Sequence, residues 1–287
     1  MDMGRTSDLK NKLRRIANET AELPGIRLLA KPLFRRLFQQ PYRHGNLYYG
    51  VYQSYAQARE HAPKNLPTTY DTDAATRMYR DQIERLRVSD YPLLYWVTRL
   101  LGAGERRVFD LGGHIGISYY GFGRYIDYPV GLHWQVHDVP AVVAAGRDWA
   151  EKHDRQRHLE FTDTREDADG QQVLIATGVL QYLEYTLPEL LQQLKDPPQH
   201  VLVNLTPMHP SQGYFTLQNI GFAICPYRVM AVPEFVAGMQ ALGYAAIDRW
   251  ESLERNLRVP FEPACTIDRY YGFYFRRDTV KSPGATT

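Results

Sequence analysis

The stretch Arg107-Val-Phe-Asp-Leu-Gly-Gly-His-Ile-Gly116 decides the fold of this chain. It begins as a short, β-prone apolar run, and a glycine-dense turn follows at once. Glycine has no side chain to block a close approach of the backbone, so Gly112, Gly113 and Gly116 predict a nucleotide-like ligand at the end of a parallel strand. Asp110 stands where it can accept hydrogen bonds from amine or hydroxyl groups of that ligand.

From residue 107 onward, strand-like and helix-like segments alternate. The predicted strands are 107–111, 133–137, 159–162, 173–177, 201–205, 244–250 and 271–276. One predicted helix begins over 117–125, and three others cover 142–153, 187–194 and 233–242. Such alternation indicates a parallel sheet with helices on its faces. We therefore expect an α/β fold with a seven-stranded, doubly wound sheet.

The first 40 residues carry nine Lys and Arg against four Asp and Glu. Apolar residues recur there at helical spacing and predict two amphipathic helices, marked by Leu9, Leu13 and Ile16 and then by Leu28, Leu29, Leu33 and Leu37. These helices could form a lid, a dimer arm or a membrane-surface contact, or simply pack on the main domain.

Further along, the pattern predicts an ordered loop segment over 41–70 and helices over 73–87 and 91–101. The predicted organisation is an N-terminal helical extension or lid over 1–90, an α/β domain over 91–277 and a disordered tail over 278–287.

Composition narrows the class of protein. A net charge of +2 argues against nucleic acid as a partner. Cys225 and Cys265 show no metal-ligand spacing, which favours a reduced, cytoplasmic protein. No apolar run approaches the roughly 20 residues that a transmembrane helix needs. The N-terminus lacks the apolar core of a secretion signal. A homodimer stays possible.

Nine histidines prompt the question of a metal site. His133 and His137 would share one face of a helix, but in a strand they are about 13 Å apart at about 3.3 Å per residue. That is too far for an ion bound at about 2 Å. Neither H-E-x-x-H nor C-x-x-C occurs, so we expect no metal.

Three kinds of ligand compete for the glycine turn. A phosphate-binding P-loop needs Gly-Lys-Ser or Gly-Lys-Thr after its glycines, and the chain has neither. A dinucleotide site needs G-x-G-x-x-G with an acid about 20 residues on. The acid here lies inside the strand end, and the spacing to Asp138 is longer. S-adenosylmethionine remains, with a glycine turn at its amino-acid end and an acid at its ribose.

The motifs resemble those of class I S-adenosylmethionine-dependent methyltransferases. Asp110–Gly116 resembles their first motif, D-x-G-x-G-x-G, with His114 replacing the middle glycine. Val136–Val143 resembles the D-[LV]-P-x-V segment of small-molecule O-methyltransferases. Residues 45–277 are similar to a narrower bacterial family, described only as methyltransferases and often found in polysaccharide or natural-product gene clusters. The matching segments are Gly50–Tyr52, Asp110–Tyr120, Ala176–Glu184, Thr216–Gly221 and Cys225–Tyr227.

This resemblance implies a Rossmann-like fold and a set of cofactor-binding residues: Asp110, Gly112, Gly113, His114, Gly116, Asp138, Val139, Thr162, Asp163 and Thr177. The glycines would line the methionine end of the cofactor, and Asp110 would lie near its amine. Asp138 would bind the ribose and Val139 the adenine, with Thr162-Asp163 near the adenine amine. Alternatively, Asp138 caps a helix and Asp163 is a surface acid.

Methyl transfer is an in-line displacement that depends on alignment and desolvation, so a general base is not obligatory. The candidate catalytic residues lie at the end of the fifth predicted strand or after the fourth and fifth: Tyr182, Asn204, His209 and Asn219. Tyr182 could set its ring against the sulfonium, and His209 could accept a proton. The alternatives are a core tyrosine and a loop histidine between prolines.

The expected function is therefore transfer of a methyl group to a small-molecule acceptor in bacterial biosynthetic metabolism. Another enzyme reading needs no acceptor: a cyclase forms azetidine-2-carboxylate and methylthioadenosine from S-adenosylmethionine. An aromatic cage of Tyr119, Tyr120, Tyr182 and Tyr185 would suit it. A third reading is a cofactor-binding protein without catalysis.

Overall fold

The computed structural model describes residues 24–41, 46–68 and 83–278. The chain divides into two compact units. The first unit takes the residues up to 68 together with 214–227 and 257–266. The second takes 69–213, 228–256 and the residues from 267 onward. This division differs from the predicted segments 1–90, 91–277 and 278–287, because two later stretches join the N-terminal residues.

The elements are numbered in chain order. The described strands are β1 (Leu47–Tyr52), β2 (Arg107–Leu111), β3 (His133–His137), β4 (Leu159–Thr162), β5 (Val173–Thr177), β6 (His200–His209), β7 (Tyr214–Asn219), β8 (Ile224–Ala231), β9 (Tyr244–Ser252) and β10 (Tyr270–Arg277). The described helices are α1 (Pro24–Phe38), α2 (Tyr55–Glu60), α3 (Tyr91–Gly102), α4 (Ile117–Phe122), α5 (Pro140–His153), α6 (Leu187–Gln193) and α7 (Val232–Ala241).

Seven strands of the second unit form a sheet in the order β4-β3-β2-β5-β6-β10-β9. β4, β3, β2, β5 and β6 pair in parallel, whereas β10 runs antiparallel to both β6 and β9. The predicted seven-stranded, doubly wound sheet is therefore confirmed, and the α/β fold is Rossmann-like. The carboxyl ends of β2, β3 and β5 meet at one edge of this sheet, which is where ligands of such folds bind.

Helices cover both faces of this sheet because successive strand residues point to opposite sides. Val108, Trp134 and Ile175 belong to one core cluster with the apolar residues of α3, α4 and α5. Phe109 and Leu174 belong to another cluster with those of α6 and α7. Each predicted helix over 91–277 is thus present and buries its apolar side against the sheet.

The first unit contains an antiparallel pair of strands that the sequence analysis missed. β1 pairs with β7, and Tyr48 lies opposite Gln218. α2 follows β1 and is capped by Ser54, whose side chain accepts a hydrogen bond from the N–H of Gln57. The prediction of a loop segment over 41–70 is therefore wrong for 47–52 and 55–60. A small core of Phe38, Ala58, Ala62, Leu217 and Ile224 holds this unit together.

Other element boundaries also differ from those predicted. β6 extends to His209, and β7 and β8 lie in a stretch where no strand was predicted. The end of β8 pairs in parallel with the end of β6, with Met208 opposite Met230. α1 confirms the second N-terminal helix. The helix predicted over 73–87 lies mostly outside the described residues, and 85–87 are not helical. The predicted helix around Leu9–Ile16 and residues 279–287 of the predicted tail also lie outside them.

Across the described ranges, no helix is both long and apolar enough to cross a membrane.

Candidate functional site

The turn after β2 is packed so closely that two of its positions exclude a side chain. A Cβ on Gly113 would lie 2.5 Å from Cγ of Asp110, and one on Gly112 would lie 2.3 Å from a methyl carbon of Val179. Gly112 also has a left-handed backbone, with φ of 69°, and its N–H donates to the carbonyl of His137 at 2.8 Å. The glycines therefore join the ends of β2 and β3 into one compact corner.

Asp110 lies beneath this corner and is wholly buried. Its Oδ2 accepts a hydrogen bond from the indole N–H of Trp134 at 3.2 Å. Its Oδ1 has no hydrogen-bond partner among the residues that the structure describes. Burial, aided by the nearby charge of Asp138, raises the pKa of this carboxyl group to about 7, although the hydrogen bond from the indole lowers it. Asp110 thus supports the turn from below and carries one unused acceptor.

Asp138 lies directly after β3 and is only half-buried. Its Oδ2 accepts the backbone N–H of His114 at 3.0 Å, and its Oδ1 accepts that of Val139 at 2.8 Å. His114 has φ of 56°, a left-handed value that is uncommon for residues other than glycine. Val139 is the N-cap residue of α5, so Asp138 precedes the cap rather than occupying it. Backbone groups from two turns therefore orient this carboxylate.

The remaining predicted cofactor residues, Thr162, Asp163 and Thr177, differ in burial and in the hydrogen bonds that their side chains already make. Thr162 is buried, and its hydroxyl donates to Asp167 at 2.6 Å and accepts from the N–H of Thr164 at 3.0 Å. Asp163 is exposed. Thr177 ends β5 and is half-buried, and its hydroxyl has no partner among the described residues. Thr177 therefore keeps bonding capacity at the sheet edge, whereas the side chain of Thr162 already bonds within its own turn.

The 3₁₀ turn after β5 holds Tyr182, which is half-buried. Its N–H donates to the carbonyl of Val179 at 2.9 Å. The neighbouring Gln181 is buried: its amide N–H donates to the carbonyl of Gly178 at 2.6 Å, and its Oε1 has no partner within the described ranges. Gln181 on this turn and Thr177 at the end of β5 therefore each have a polar atom without a partner among the described residues.

Asn204 is wholly buried, and both ends of its amide are used by the protein. Its N–H group donates to Oδ1 of Asp90 at 3.1 Å, and its oxygen accepts from the indole N–H of Trp250 at 2.9 Å. Burial raises the pKa of Asp90. These bonds tie β6 to β9 and to the turn before α3. The catalytic role of Asn204 stays a prediction.

His209 is the last residue of β6 and stabilises the turn that follows. Its Nδ1 accepts the backbone N–H groups of Ser211 and Gln212, both at 3.2 Å. Nδ1 of His209 is therefore used as an acceptor within its own turn. This geometry matches the alternative of a loop histidine.

Asn219 ends β7 in the first unit, whereas the other predicted site residues belong to the second. Its amide N–H groups donate to the carbonyls of Phe38 at 2.6 Å and Gln40 at 2.8 Å. Its Oδ1 accepts the N–H of Gly221 at 2.7 Å. The amide is wholly buried and bonds to backbone groups through both its nitrogen and its oxygen. The catalytic role of Asn219 stays a prediction.

Two residues of the corner, Trp134 and His137, were not predicted as site residues. Trp134, the partner of Asp110, lies two residues from Val136 on the same side of β3, and strand alternation could have placed it there. His137 ends β3, and burial lowers the pKa of its ring. Its Nδ1 is buried without a partner in the part of the chain described. Its position directly before Asp138 was the available signal.

No group of three or more His, Cys, Asp or Glu side chains within 24–41, 46–68 and 83–278 could hold a metal ion. His133 instead lies 3.0 Å from a carboxylate oxygen of Glu160 on the neighbouring strand.

No protein-family model matches the chain, and no curated protein matches it. Many solved structures do match. One is a magnesium protoporphyrin IX methyltransferase from Synechocystis PCC 6803 with bound SAH, at 11% identity over 73% of this chain and 96% of that one, with a TM-score of 0.47. Another is an O-methyltransferase family protein from Burkholderia thailandensis, at 19% identity over 74% and 62%, with a TM-score of 0.45.

A third is the 1,6-didemethyltoxoflavin-N1-methyltransferase of Burkholderia thailandensis with its substrate and S-adenosylhomocysteine bound. The identity is 17% over 65% of this chain and 78% of that one, with a TM-score of 0.39. With TM-scores below 0.5, the assignment of the fold rests on the strand order of the chain itself.

Proposed function

We propose that the chain is an S-adenosylmethionine-dependent methyltransferase acting on a small molecule in bacterial biosynthetic metabolism, of the narrower family described above. The observation that carries the proposal is the half-buried carboxylate of Asp138, which the N–H groups of His114 and Val139 orient at the carboxyl end of β3. Each carboxylate oxygen can accept more than one hydrogen bond, so an oriented carboxylate suits the two neighbouring hydroxyls of a ribose.

The other groups of the corner fit the same ligand. The unused Oδ1 of Asp110 and hydroxyl of Thr177 are buried polar atoms that a ligand with amine or hydroxyl donors would satisfy. Val139 offers an apolar side chain for the adenine. The backbone of Gly112 to His114 would hold the methionine end. Bound S-adenosylmethionine supplies a methyl group that its sulfonium makes electrophilic.

The residues of the chain act mainly by positioning. Asp138 and the glycine turn fix the orientation of the bound ligand, and the turn carrying Gln181 and Tyr182 lies against Gly112 through Val179. With both ligands bound, the lone pair of the acceptor would form a bond to the methyl carbon and the carbon–sulfur bond would break with its electron pair left on sulfur. A proton carried by the acceptor would pass to solvent. Correct alignment lowers the barrier without a general base. The bonds of Asn204, His209 and Asn219 agree with a mechanism that needs none.

The first experiment measures binding and products with the purified chain. Calorimetry should detect binding of S-adenosylmethionine, and incubation with methyl-labelled S-adenosylmethionine and candidate acceptors should yield labelled acceptor and S-adenosylhomocysteine. Absence of binding would refute the proposal and favour a protein without this cofactor. Release of methylthioadenosine without any acceptor would instead identify a cyclase.

No observation favours the cyclase. Its aromatic cage would need several tyrosines around one point, but Tyr119 lies in the core with its ring stacked on Tyr128 and its hydroxyl donating to Asp154 at 2.8 Å. Tyr185 packs against the core cluster of the opposite face, and the guanidinium of Arg165 lies 4.2 Å from the centre of its ring. The proposed partner is therefore a small-molecule acceptor, without nucleic acid.

A further inference from the structure

Among the described residues, α1 packs through one side. The rings of Phe34 and Phe38 lie 6.2 and 5.4 Å from the ring of Tyr49, and Phe34 also meets Phe261 at 6.0 Å. The other side faces solvent and carries large apolar side chains with these exposed fractions: Ile26 43%, Leu28 79%, Leu29 73%, Leu33 64% and Leu37 46%. An exposed apolar stripe on an otherwise packed helix marks an interaction surface.

The charges of α1 have a single sign. The helix contains Arg27, Lys31, Arg35 and Arg36 and no acidic residue. The side chains of Arg27 and Lys31 lie 3.5 and 3.6 Å from Glu262, on the packed side. Arg35 and Arg36 are exposed, and each follows Leu28 or Leu29 by seven residues, about two helical turns. An occupant of this surface must therefore offer apolar groups and negative charge together.

Charge excludes two occupants. Residues 1–23, upstream of α1, carry five Lys and Arg and four Asp and Glu, so this segment offers α1 no excess of negative charge. A second copy of the chain would bring another helix with the same four positive charges. Like charges at close range are unfavourable. An anionic surface has the required complement.

We propose that α1 lies flat on an anionic lipid surface, with the leucine stripe at the acyl boundary and Arg35 and Arg36 at the phosphate headgroups. A basic helix with a strong apolar face binds membranes in this way. Fifteen residues span about 22 Å at about 1.5 Å each, less than the roughly 30 Å hydrocarbon core, so the helix lies in the interface plane.

Vesicle sedimentation with the full chain tests the proposal. The chain should bind vesicles of phosphatidylcholine with about one-third phosphatidylglycerol, bind pure phosphatidylcholine weakly, and release as salt rises. Replacing both Leu29 and Leu33 with Ser should weaken binding at least about tenfold. The matched control replaces Val130 and Leu253, which are 96% and 72% exposed, with Ser and should change nothing.

A charge pair supplies the second test. Replacing Arg35 and Arg36 with Gln should weaken binding about 25-fold, since each cation near an anionic surface contributes about fivefold. The same change at the exposed Arg124 and Arg155 should have no effect. Circular dichroism spectra matching the unmodified chain show that the variants fold.

Three outcomes overturn the proposal. The first is equal binding to neutral and anionic vesicles. The second is no vesicle binding together with a dimer, seen by light scattering, that the serine variant of Leu29 and Leu33 dissolves; a second copy then covers the stripe. The third is a monomer that binds no vesicles. None of these readouts depends on S-adenosylmethionine, so the outcome is independent of the proposed function.

Discussion

Asp110 and Asp138 stand at the ends of neighbouring parallel strands, but their surroundings are opposite. Asp110 is wholly buried, with one indole N–H donor and one oxygen that lacks a partner among the described residues. Asp138 is half-buried, and a backbone N–H reaches each of its oxygens. The same residue type at one edge of a sheet thus serves as a support in one place and as an oriented acceptor in the other. The degree of burial and the nearby hydrogen-bond donors, rather than the position in the sequence, decide which of these roles the carboxylate has.

The largest effect expected concerns the charge of Asp110. Its pKa in the folded state is raised to about 7 from an ordinary 3.8, so the folded chain holds this proton more tightly than the unfolded chain. Stability from this group is present at low pH and is lost as pH rises from about 4 through 7, at most roughly 4 kcal/mol at about 1.4 kcal/mol per unit. Asp110→Asn should remove that loss.

Urea unfolding of the unmodified chain and of Asp110→Asn between pH 4 and 8 provides the measurement. The difference between the two free energies of unfolding should change with pH and level off above pH 7. Asp163→Asn, which changes an exposed carboxylate, is the control and should follow the unmodified chain. Parallel pH profiles for Asp110→Asn and the unmodified chain would contradict the assigned environment.

Gly113→Ala tests how closely the turn rests on Asp110. The added methyl would lie 2.5 Å from the carboxyl carbon, so turn or carboxyl must shift, at a cost of about 2 kcal/mol. Gly102→Ala is the control, because nothing lies within 4 Å of its Cβ position. Thermal unfolding should show a clear loss for Gly113→Ala and none for Gly102→Ala. Equal melting temperatures would mean that the turn can accommodate the added methyl group.

Asp138→Asn tests the other carboxylate through ligand affinity. The amide keeps the shape and removes the charge, so S-adenosylmethionine should bind about 10-fold to 100-fold more weakly, or about 1–3 kcal/mol. Calorimetry measures the change, with unfolding curves to show that the fold persists. An unchanged dissociation constant would remove Asp138 from the proposed ribose site.

The smallest effect is expected at the end of β4. Asp163 is exposed, and its replacement by Asn should change neither stability nor S-adenosylmethionine affinity by more than about 0.5 kcal/mol. The same two measurements apply. A tenfold loss of affinity would instead support the contact with the adenine amine that the family resemblance implies.

Where signals are local, the sequence predicts the structure closely. β2 and β5 match their predicted ranges because a short apolar run is bounded by glycine on the sequence itself. α6 begins at a capping box, in which Thr186 and Glu189 bond each other's backbone N–H groups. The positions of Gly112 and Asp138 in the corner could be predicted for the same reason, since each lies at the end of a predicted strand; their contact with a cofactor stays a prediction.

Where a residue depends on distant partners, the sequence predicts poorly. β7 pairs with β1, which lies more than 160 residues earlier, and no local pattern reveals such a partner. Asn204 and Asn219 resemble free polar residues in the sequence. Their amides are satisfied by Asp90 and by the carbonyl of Phe38, each over 100 residues away in the chain. A buried amide with distant partners and a catalytic amide look alike until the fold is known.

The fluorescence of the Trp134 indole can report the protonation of Asp110. Its N–H donates to the carboxyl group whose pKa is raised to about 7, so the charge beside the ring changes within the neutral range. Indole emission responds to a nearby charge, and a fluorescence titration of the folded chain would therefore follow this single proton. Trp134→Phe should abolish this pH-dependent change in emission, although Trp96, Trp149 and Trp250 still emit.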